Sequence, residues 1–179
     1  APVMWKNAKI NVIDTPGYLD FSGEVMQALR VADSAVIIVD GKAGIEAGTE
    51  LAWDHASDAG IPKAFFVNKF DDSECRFNRV FTQLHDTFGV SVCPLMIPMV
   101  EGDKVTGFIK LIDKKTYIYD KTGAHTEGDI PEEYMEIVDK YRDMLFEAIA
   151  GVSDELMEKY FAGEEITREE AEAQMINRY

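Results

Sequence analysis

The first half of the chain alternates between short apolar runs and longer amphipathic stretches. Three short runs rich in β-branched residues lie at residues 9–13, 35–39 and 64–67. Helical patterns follow them at residues 22–31, 48–60 and 73–88. Near-continuous apolar character is typical of strands buried on both faces of a parallel sheet. The β-α-β-α-β order therefore predicts an open α/β sheet with helices on both faces, whose ligands bind beyond the carboxyl ends of the strands.

After Gly89 the pattern changes to an α+β one. Strand patterns separated by glycines and charged residues lie at residues 92–99, 107–112 and 116–119. Pro131 then opens a long amphipathic helix that runs to about Ala150. Two shorter acidic helical patterns follow at residues 154–161 and 168–178. We therefore expect an α/β part at residues 1–90 and an α+β part at residues 91–179.

The charge balance limits the partners of this segment. The 179 residues include 33 Asp and Glu against 18 Lys and Arg, a formal net charge of −15. Wrapping of a nucleic-acid backbone is electrostatically unfavourable for such a chain, so we expect no direct nucleic-acid binding and a basic partner surface instead. No apolar run reaches the roughly eighteen residues that suggest a membrane span. Two cysteines without metal-ligand spacing and the lack of a secretory signal pattern indicate a reducing, cytoplasmic setting.

A first candidate motif, Asp14-Thr15-Pro16-Gly17, follows the first predicted strand. A carboxylate at the tip of a strand is a natural ligand, direct or through water, for Mg²⁺. The glycine three residues later leaves backbone N–H groups open to a phosphate. The alternative is an ordinary strand-to-helix turn in which the Asp carboxylate bonds the local backbone.

A second candidate motif, Asn68-Lys69-Phe70-Asp71, follows the third predicted strand. A guanine base offers adjacent N1–H and N2–H donors, and the carboxylate of Asp71 can accept both. The Asn68 amide supports the loop and contacts the base edge, while the Lys69 stem can cover the base face. Adenine lacks the donor pair, so it would leave Asp71 unpaired. A polar loop that merely closes a strand is the alternative, but the two motifs end strands of one predicted sheet, where a single nucleotide could touch both.

Four segments that include these motifs closely resemble the guanine-nucleotide domain of elongation factor G, a translational GTPase. They lie at residues 12–21, 29–33, 39–46 and 66–71. Residues 129–133, 155–160 and 163–167 resemble the subdomain that elongation factor G carries inserted in that domain. The resemblance implies a partial P-loop-GTPase-type sheet with an inserted α+β subdomain, GTP or GDP with Mg²⁺ as ligands, and the ribosome as partner.

The resemblance also implies a role for individual positions. Asp14 would act on the Mg²⁺ shell through water rather than by a direct bond, and Gly17 would face the γ-phosphate. Thr15 and Pro16 would line the same GTP site. The side chains of Asn68, Lys69 and Asp71 would bind the guanine base. The segment at residues 14–30 would be the second switch, whose order depends on γ-phosphate contacts.

The sequence departs from the family pattern in two places. Translational GTPases usually carry His directly after Asp-Thr-Pro-Gly, where it positions the attacking water, and this chain has Tyr18. A phenol is a different water-positioning group, so Tyr18 is the candidate catalytic residue, and a paralogue with little hydrolysis is one alternative. A ribosomal protection or release-type factor is another.

The second departure is the lack of a Gly-x-x-x-x-Gly-Lys-Ser/Thr motif in these residues. Residues 40–44, Asp-Gly-Lys-Ala-Gly, lack the first glycine and the hydroxyl residue, so we interpret them as a turn after the second strand. The phosphate-binding loop is expected upstream. We therefore expect this segment alone to bind GTP weakly at best and not to hydrolyse it.

Acidic residues cluster on the long helix of the second half. They are Glu132, Glu133, Glu136, Asp139 and Asp143. A charge run of this kind is usually a solvated face. The resemblance implies the other interpretation, in which the inserted subdomain contacts the ribosomal stalk protein and the acidic face steers that encounter.

Overall fold

The computed structural model describes residues 1–72, 74–102, 104–151, 153–164 and 166–177. The chain divides into two compact units. The first consists of Ala1–Val39 and Ile45–Phe66, and the second of Asp40–Gly44 and Val67–Tyr179. Strands with interleaved helices in the first unit and a sheet with helices in the second confirm the predicted class, an α/β sheet with an added α+β part.

The first unit opens with a β-hairpin. Strands β1 (Pro2–Trp5) and β2 (Ala8–Asn11) pair antiparallel around Lys6, whose φ of 50° suits a tight two-residue turn. All eight strand residues are exposed. The predicted strand at residues 9–13 therefore exists in part, but its place in a buried parallel sheet was wrong. Strand β2 instead pairs with β1. The sequence pattern did not predict β1, because the strand is only four residues long.

Helices and strands then alternate as predicted. A 3-10 turn (Leu19–Phe21) leads into helix α1, and the other elements follow with short connections. They are α1 (Ser22–Leu29), β3 (Ala35–Asp40), α2 (Ala47–Asp58) and β4 (Lys63–Asn68). The neighbouring strands β3 and β4 run parallel, since the Ala35 N–H donates to the Pro62 carbonyl and the Gly41 N–H to the Asn68 carbonyl, at 2.8 and 2.9 Å.

Only one face of strand β3 is buried in the part of the chain that the structure describes. Ile37 and Val39 are buried, whereas Val36 and Ile38 are 62% and 59% exposed. The prediction that both faces are buried was therefore wrong. On β4, the half-buried Phe65 stacks on Trp53 of α2 with ring centroids 5.2 Å apart, so helix packing covers one side of this strand.

The second unit contains helix α3 (Phe77–Phe88), an antiparallel sheet in the order β5-β6-β7-β8, and further helices. The strands are β5 (Met96–Glu101), β6 (Lys104–Lys110), β7 (Lys115–Tyr119) and β8 (His125–Gly128). The helices are α4 (Met135–Ala150), after a 3-10 turn at Glu132–Tyr134, then α5 (Asp154–Phe161) and α6 (Arg168–Asn177). Helix α3 begins later than expected, and the first predicted residue, Ser73, lies outside the described residues.

An apolar cluster holds the second unit together. Ile109 and Leu111 supply fully buried side chains from β6 and the residue after it, and Val138 and Leu145 supply those of α4. These α4 residues lie two helical turns apart, on one face of the helix. Among the described residues, no helix is long and apolar enough to cross a membrane.

Candidate nucleotide-binding site

The Asp14-Thr15-Pro16-Gly17 segment lies in the first unit, between β2 and the 3-10 turn. It has no regular secondary structure and all four residues are exposed. A Cβ placed on Gly17 would meet no atom within 4 Å. The backbone here is thus open to a ligand, as the predicted contact with a γ-phosphate requires.

Tyr18 is the first residue after this segment and is 78% exposed. Its carbonyl accepts a hydrogen bond from the Phe21 N–H at 3.0 Å, which starts the 3-10 turn. The side chain makes no capping bond to that turn. The backbone of Tyr18 is therefore held by the 3-10 turn, while its phenol is exposed. The catalytic role of Tyr18 stays a prediction.

The Asn68-Lys69-Phe70-Asp71 segment lies in the second unit, at the carboxyl end of β4. Asn68, Lys69 and Asp71 are exposed, whereas Phe70 is half-buried with its ring centroid 6.5 Å from that of Phe77. Lys69 has a φ of 63°, in the left-handed region that non-glycine residues seldom occupy. Phe70 thus packs inward, while the side chains of Asn68, Lys69 and Asp71 are exposed on a short loop.

Sequence reasoning missed Asp40, which ends strand β3. Its Oδ2 lies 2.6 Å from the Nζ of Lys69. Its Oδ1 accepts the N–H groups of Lys42 and Ala43 at 2.8 and 3.0 Å. The Lys69 ammonium and these two N–H groups hold the Asp40 pKa far below its usual range. Residues 40–44 form the predicted turn. This turn also contains Asp40, whose carboxylate pairs with Lys69 of the second motif.

A signal for Asp40 existed in the sequence. Strands β3 and β4 were predicted as successive strands of a parallel sheet, and the carboxyl ends of such strands lie at the same edge. A carboxylate at the end of one strand and a lysine just after the next are therefore expected to approach each other. Asp40 and Lys69 thus follow adjacent strands, and the predicted strand order brings them together.

The two predicted motifs fall in different compact units, Asp14–Gly17 in the first and Asn68–Asp71 in the second. Their joint action on one nucleotide therefore stays a prediction. Within the described residues, no three His, Cys, Asp or Glu side chains form a metal-binding group. A Mg²⁺ ion at Asp14 would thus need its remaining ligands from water and nucleotide, which is the usual coordination of this ion.

A cavity of about 390 Å³ lies within the second unit, next to the second motif. Its wall is mainly aromatic and aliphatic and includes Phe70, Phe77 and Tyr141. Asn68, Lys69 and Asp71 do not line it. The polar side chains of the motif are therefore separate from this cavity, and base recognition would depend on the exposed loop.

Comparison with known proteins agrees with this fold. A family model described as the elongation factor Tu GTP binding domain matches residues 1–174. A crystal structure of a protein from Thermus thermophilus matches with a TM-score of 0.87 and 36% sequence identity, over 97% of this chain and 26% of that one. The family match and this structural likeness support the translational GTPase class, whose members bind guanine nucleotide through such a domain. The chain belongs to the elongation factor Tu GTP binding domain family.

The chain spans about a quarter of the length of the Thermus thermophilus protein. The family membership supports GTP binding in translation as the general setting.

Proposed function

We propose that this chain is the middle of the guanine-nucleotide domain of a ribosome factor of the elongation factor G type. Residues 1–90 belong to the nucleotide domain proper, and residues 91–179 form its inserted subdomain. The longer protein hydrolyses GTP in the translocation step of elongation, in the cytoplasm. The segment alone, which lacks a Gly-x-x-x-x-Gly-Lys-Ser/Thr motif, is inactive.

Base recognition is the part of this proposal that has the strongest structural support. The Asn68–Asp71 loop lies at the carboxyl end of a parallel strand, with Phe70 packed against Phe77 and the Lys69 ammonium paired with Asp40. The exposed Asp71 carboxylate accepts the two guanine donors, N1–H and N2–H. Charged hydrogen bonds of this kind contribute about 1.5–3 kcal/mol, which is sufficient to favour guanine over adenine.

Asp14 and Gly17 have the chemistry that the phosphate end of the nucleotide requires. The exposed Asp14 carboxylate holds water of the Mg²⁺ shell, and the open backbone at Gly17 faces the γ-phosphate. When bound, Mg²⁺ neutralises negative charge on the phosphates. Thr15 and Pro16 line the same GTP site.

A second candidate function is a ribosome-binding GTP switch that hydrolyses little. Tyr18 carries this alternative, because the exposed phenol stands where the family usually has the water-positioning imidazole. A ribosomal protection or release-type factor would share the same nucleotide domain.

The inserted subdomain supplies the partner surface. Glu136, Asp139 and Asp143 are exposed on α4, with Glu132 and Glu133 exposed just before it. An acidic face of this kind steers a basic partner surface, and we assign the ribosomal stalk protein to it.

The test is nucleotide affinity of the full-length protein with Asp71 intact and with Asp71→Asn. The amide inverts part of the donor and acceptor pattern, so the variant should lose GTP affinity and gain xanthosine triphosphate affinity. A wild-type protein that binds neither nucleotide would exclude the guanine-switch function. A variant with unchanged preference would exclude Asp71 as the residue that reads the base.

A further inference from the structure

The turn at Asp40–Gly44 and the Asn68–Asp71 loop are joined through their main chains. The Gly41 N–H donates to the Asn68 carbonyl at 2.9 Å, and the Gly44 N–H closes the turn on the Asp40 carbonyl at 2.8 Å. Arg79 of α3 also donates to the Lys42 carbonyl. The turn therefore has a fixed position beside the loop.

The Asp40 carboxylate uses this position to hold Lys69. One oxygen accepts the N–H groups of Lys42 and Ala43, which orients the other toward the Lys69 ammonium. The Asp40 side chain is 25% exposed, and its hydrogen bonds to Lys69 and to the Ala43 and Lys42 N–H groups lower its pKa, as expected for a carboxylate held in its charged form.

Lys69 is thus constrained at both ends of its side chain. The left-handed backbone fixes where the stem begins, and the ion pair fixes where the ammonium lies. A lysine stem without such an ion pair would sample many rotamers and lose that freedom on binding a ligand. Because the ion pair already orders the Lys69 side chain before binding, less conformational entropy is lost when the nucleotide binds, and nucleotide affinity is higher.

We propose that Asp40 is a positioning residue for nucleotide binding, which holds the Lys69 stem ready to cover the guanine base. This inference rests on the proposed function of the Asn68–Asp71 loop. The competing view is an exposed ion pair without effect on binding, since the Lys69 side chain is 64% exposed and pairs of that kind often contribute little.

The variant Asp40→Asn separates these views. An amide oxygen can still accept the Lys42 and Ala43 N–H groups, so the turn is kept while the charge opposite Lys69 is lost. We expect GDP affinity of the full-length protein to fall about three- to ten-fold. The matched control is Glu74→Gln, which removes the ion pair that Lys42 makes from the same turn and should leave affinity unchanged.

A double-mutant cycle with Lys69→Met tests whether Asp40 acts through Lys69. In the Lys69→Met background the effect of Asp40→Asn should disappear. An equal loss in both backgrounds, or no loss in either, overturns the positioning role. Hydrogen exchange of residues 68–72 without nucleotide is a second measurement, and unchanged protection in Asp40→Asn also counts against it.

The outcome for the wild type separates this proposal from the proposed function. A wild-type protein without GDP affinity overturns both. A wild type that binds GDP and switches to xanthosine nucleotides with Asp71→Asn, but is indifferent to Asp40→Asn, overturns the positioning role alone.

Discussion

Arg168, the first residue of α6, places its Nη1 3.0 Å from the Oδ1 of Asp113, in the turn between β6 and β7. The other Asp113 oxygen lies 2.6 Å from the Lys110 Nζ and accepts the Tyr117 hydroxyl at 3.2 Å. The Asp113 side chain is 4% exposed. A single buried carboxylate thus joins the sheet of the second unit to its last helix.

We expect Asp113→Ala to lower the free energy of unfolding by about 1–3 kcal/mol, because it leaves Lys110 and Tyr117 without this acceptor. Urea denaturation of the chain measures this. Glu127→Gln is the control, since it breaks the exposed Lys115–Glu127 pair on the same sheet and should cost less. Equal costs would show that burial of Asp113 does not matter.

A second prediction concerns acid stability at the start of α6. Glu170 has its pKa lowered to about 2 by Lys159 and by the N–H and hydroxyl groups of Thr167. Because the folded pKa lies below the unfolded value, the contribution is present above about pH 4.5 and is lost as the pH falls toward 2.

The difference in thermal midpoint between wild type and Glu170→Gln should therefore be positive at pH 7 and vanish near the folded pKa of about 2. Thermal unfolding followed by circular dichroism at several pH values measures it. Glu169→Gln, an exposed change in the same helical turn, is the control. A difference that does not depend on pH would contradict the assignment.

Gly41 is a position where a methyl group does not fit. A Cβ there would lie 2.8 Å from the Asn68 carbonyl oxygen and closer still to the Cys75 Sγ. We expect Gly41→Ala to destabilise the fold by about 1–3 kcal/mol and to weaken GDP binding by displacing the Asn68–Asp71 loop. Gly23→Ala in α1 meets no atom within 4 Å and should not destabilise. Equal stability of the two variants would contradict the clash.

Tyr18→His should raise ribosome-stimulated GTP turnover of the full-length protein about ten- to a hundred-fold, since the imidazole positions the attacking water better. Tyr18→Phe keeps the ring and removes the hydroxyl. A further fall in turnover with Phe would show that the Tyr18 hydroxyl does the same work slowly. If neither variant changes turnover, position 18 is not limiting.

The acidic face of α4 should control the rate at which the stalk protein binds. Glu136→Lys combined with Asp143→Lys should slow association and weaken its salt dependence, with a smaller effect on dissociation. Stopped-flow mixing with the purified stalk protein measures both rates. Glu50→Lys on α2, also exposed, is a charge control. An identical effect at Glu50 would point to net charge alone.

Elements whose apolar runs are bounded by turn residues were predictable from the sequence. Strands β3 and β4 and helices α2 and α5 lie close to their predicted bounds, because glycine or polar residues follow each of them. Helix α4 begins slightly later than predicted, since a 3-10 turn precedes it. Strands β1 and β8 were missed. The residues of β8, from His125 to Gly128, carry no apolar alternation, and its identity depends on pairing with β7.

The candidate site likewise has a part that was predicted from the sequence and a part that was not. The Asn68–Asp71 loop was visible as a local motif, whereas the Asp40–Lys69 pair joins residues 29 apart in the chain. Its detection requires the strand pairing as well as the residue types. The predicted order of the two parallel strands supplied that pairing, so the contact could be expected once this order was applied to Asp40, although residue types and spacing alone do not indicate it.

The exposed face of the β3–β4 pair affects how the isolated chain behaves in solution. Val36, Ile38 and Phe66 form an apolar surface there, each more than half exposed. An open apolar strand face attracts copies of itself. Samples of this chain should therefore be prone to self-association at high concentration, and dilution should reduce it.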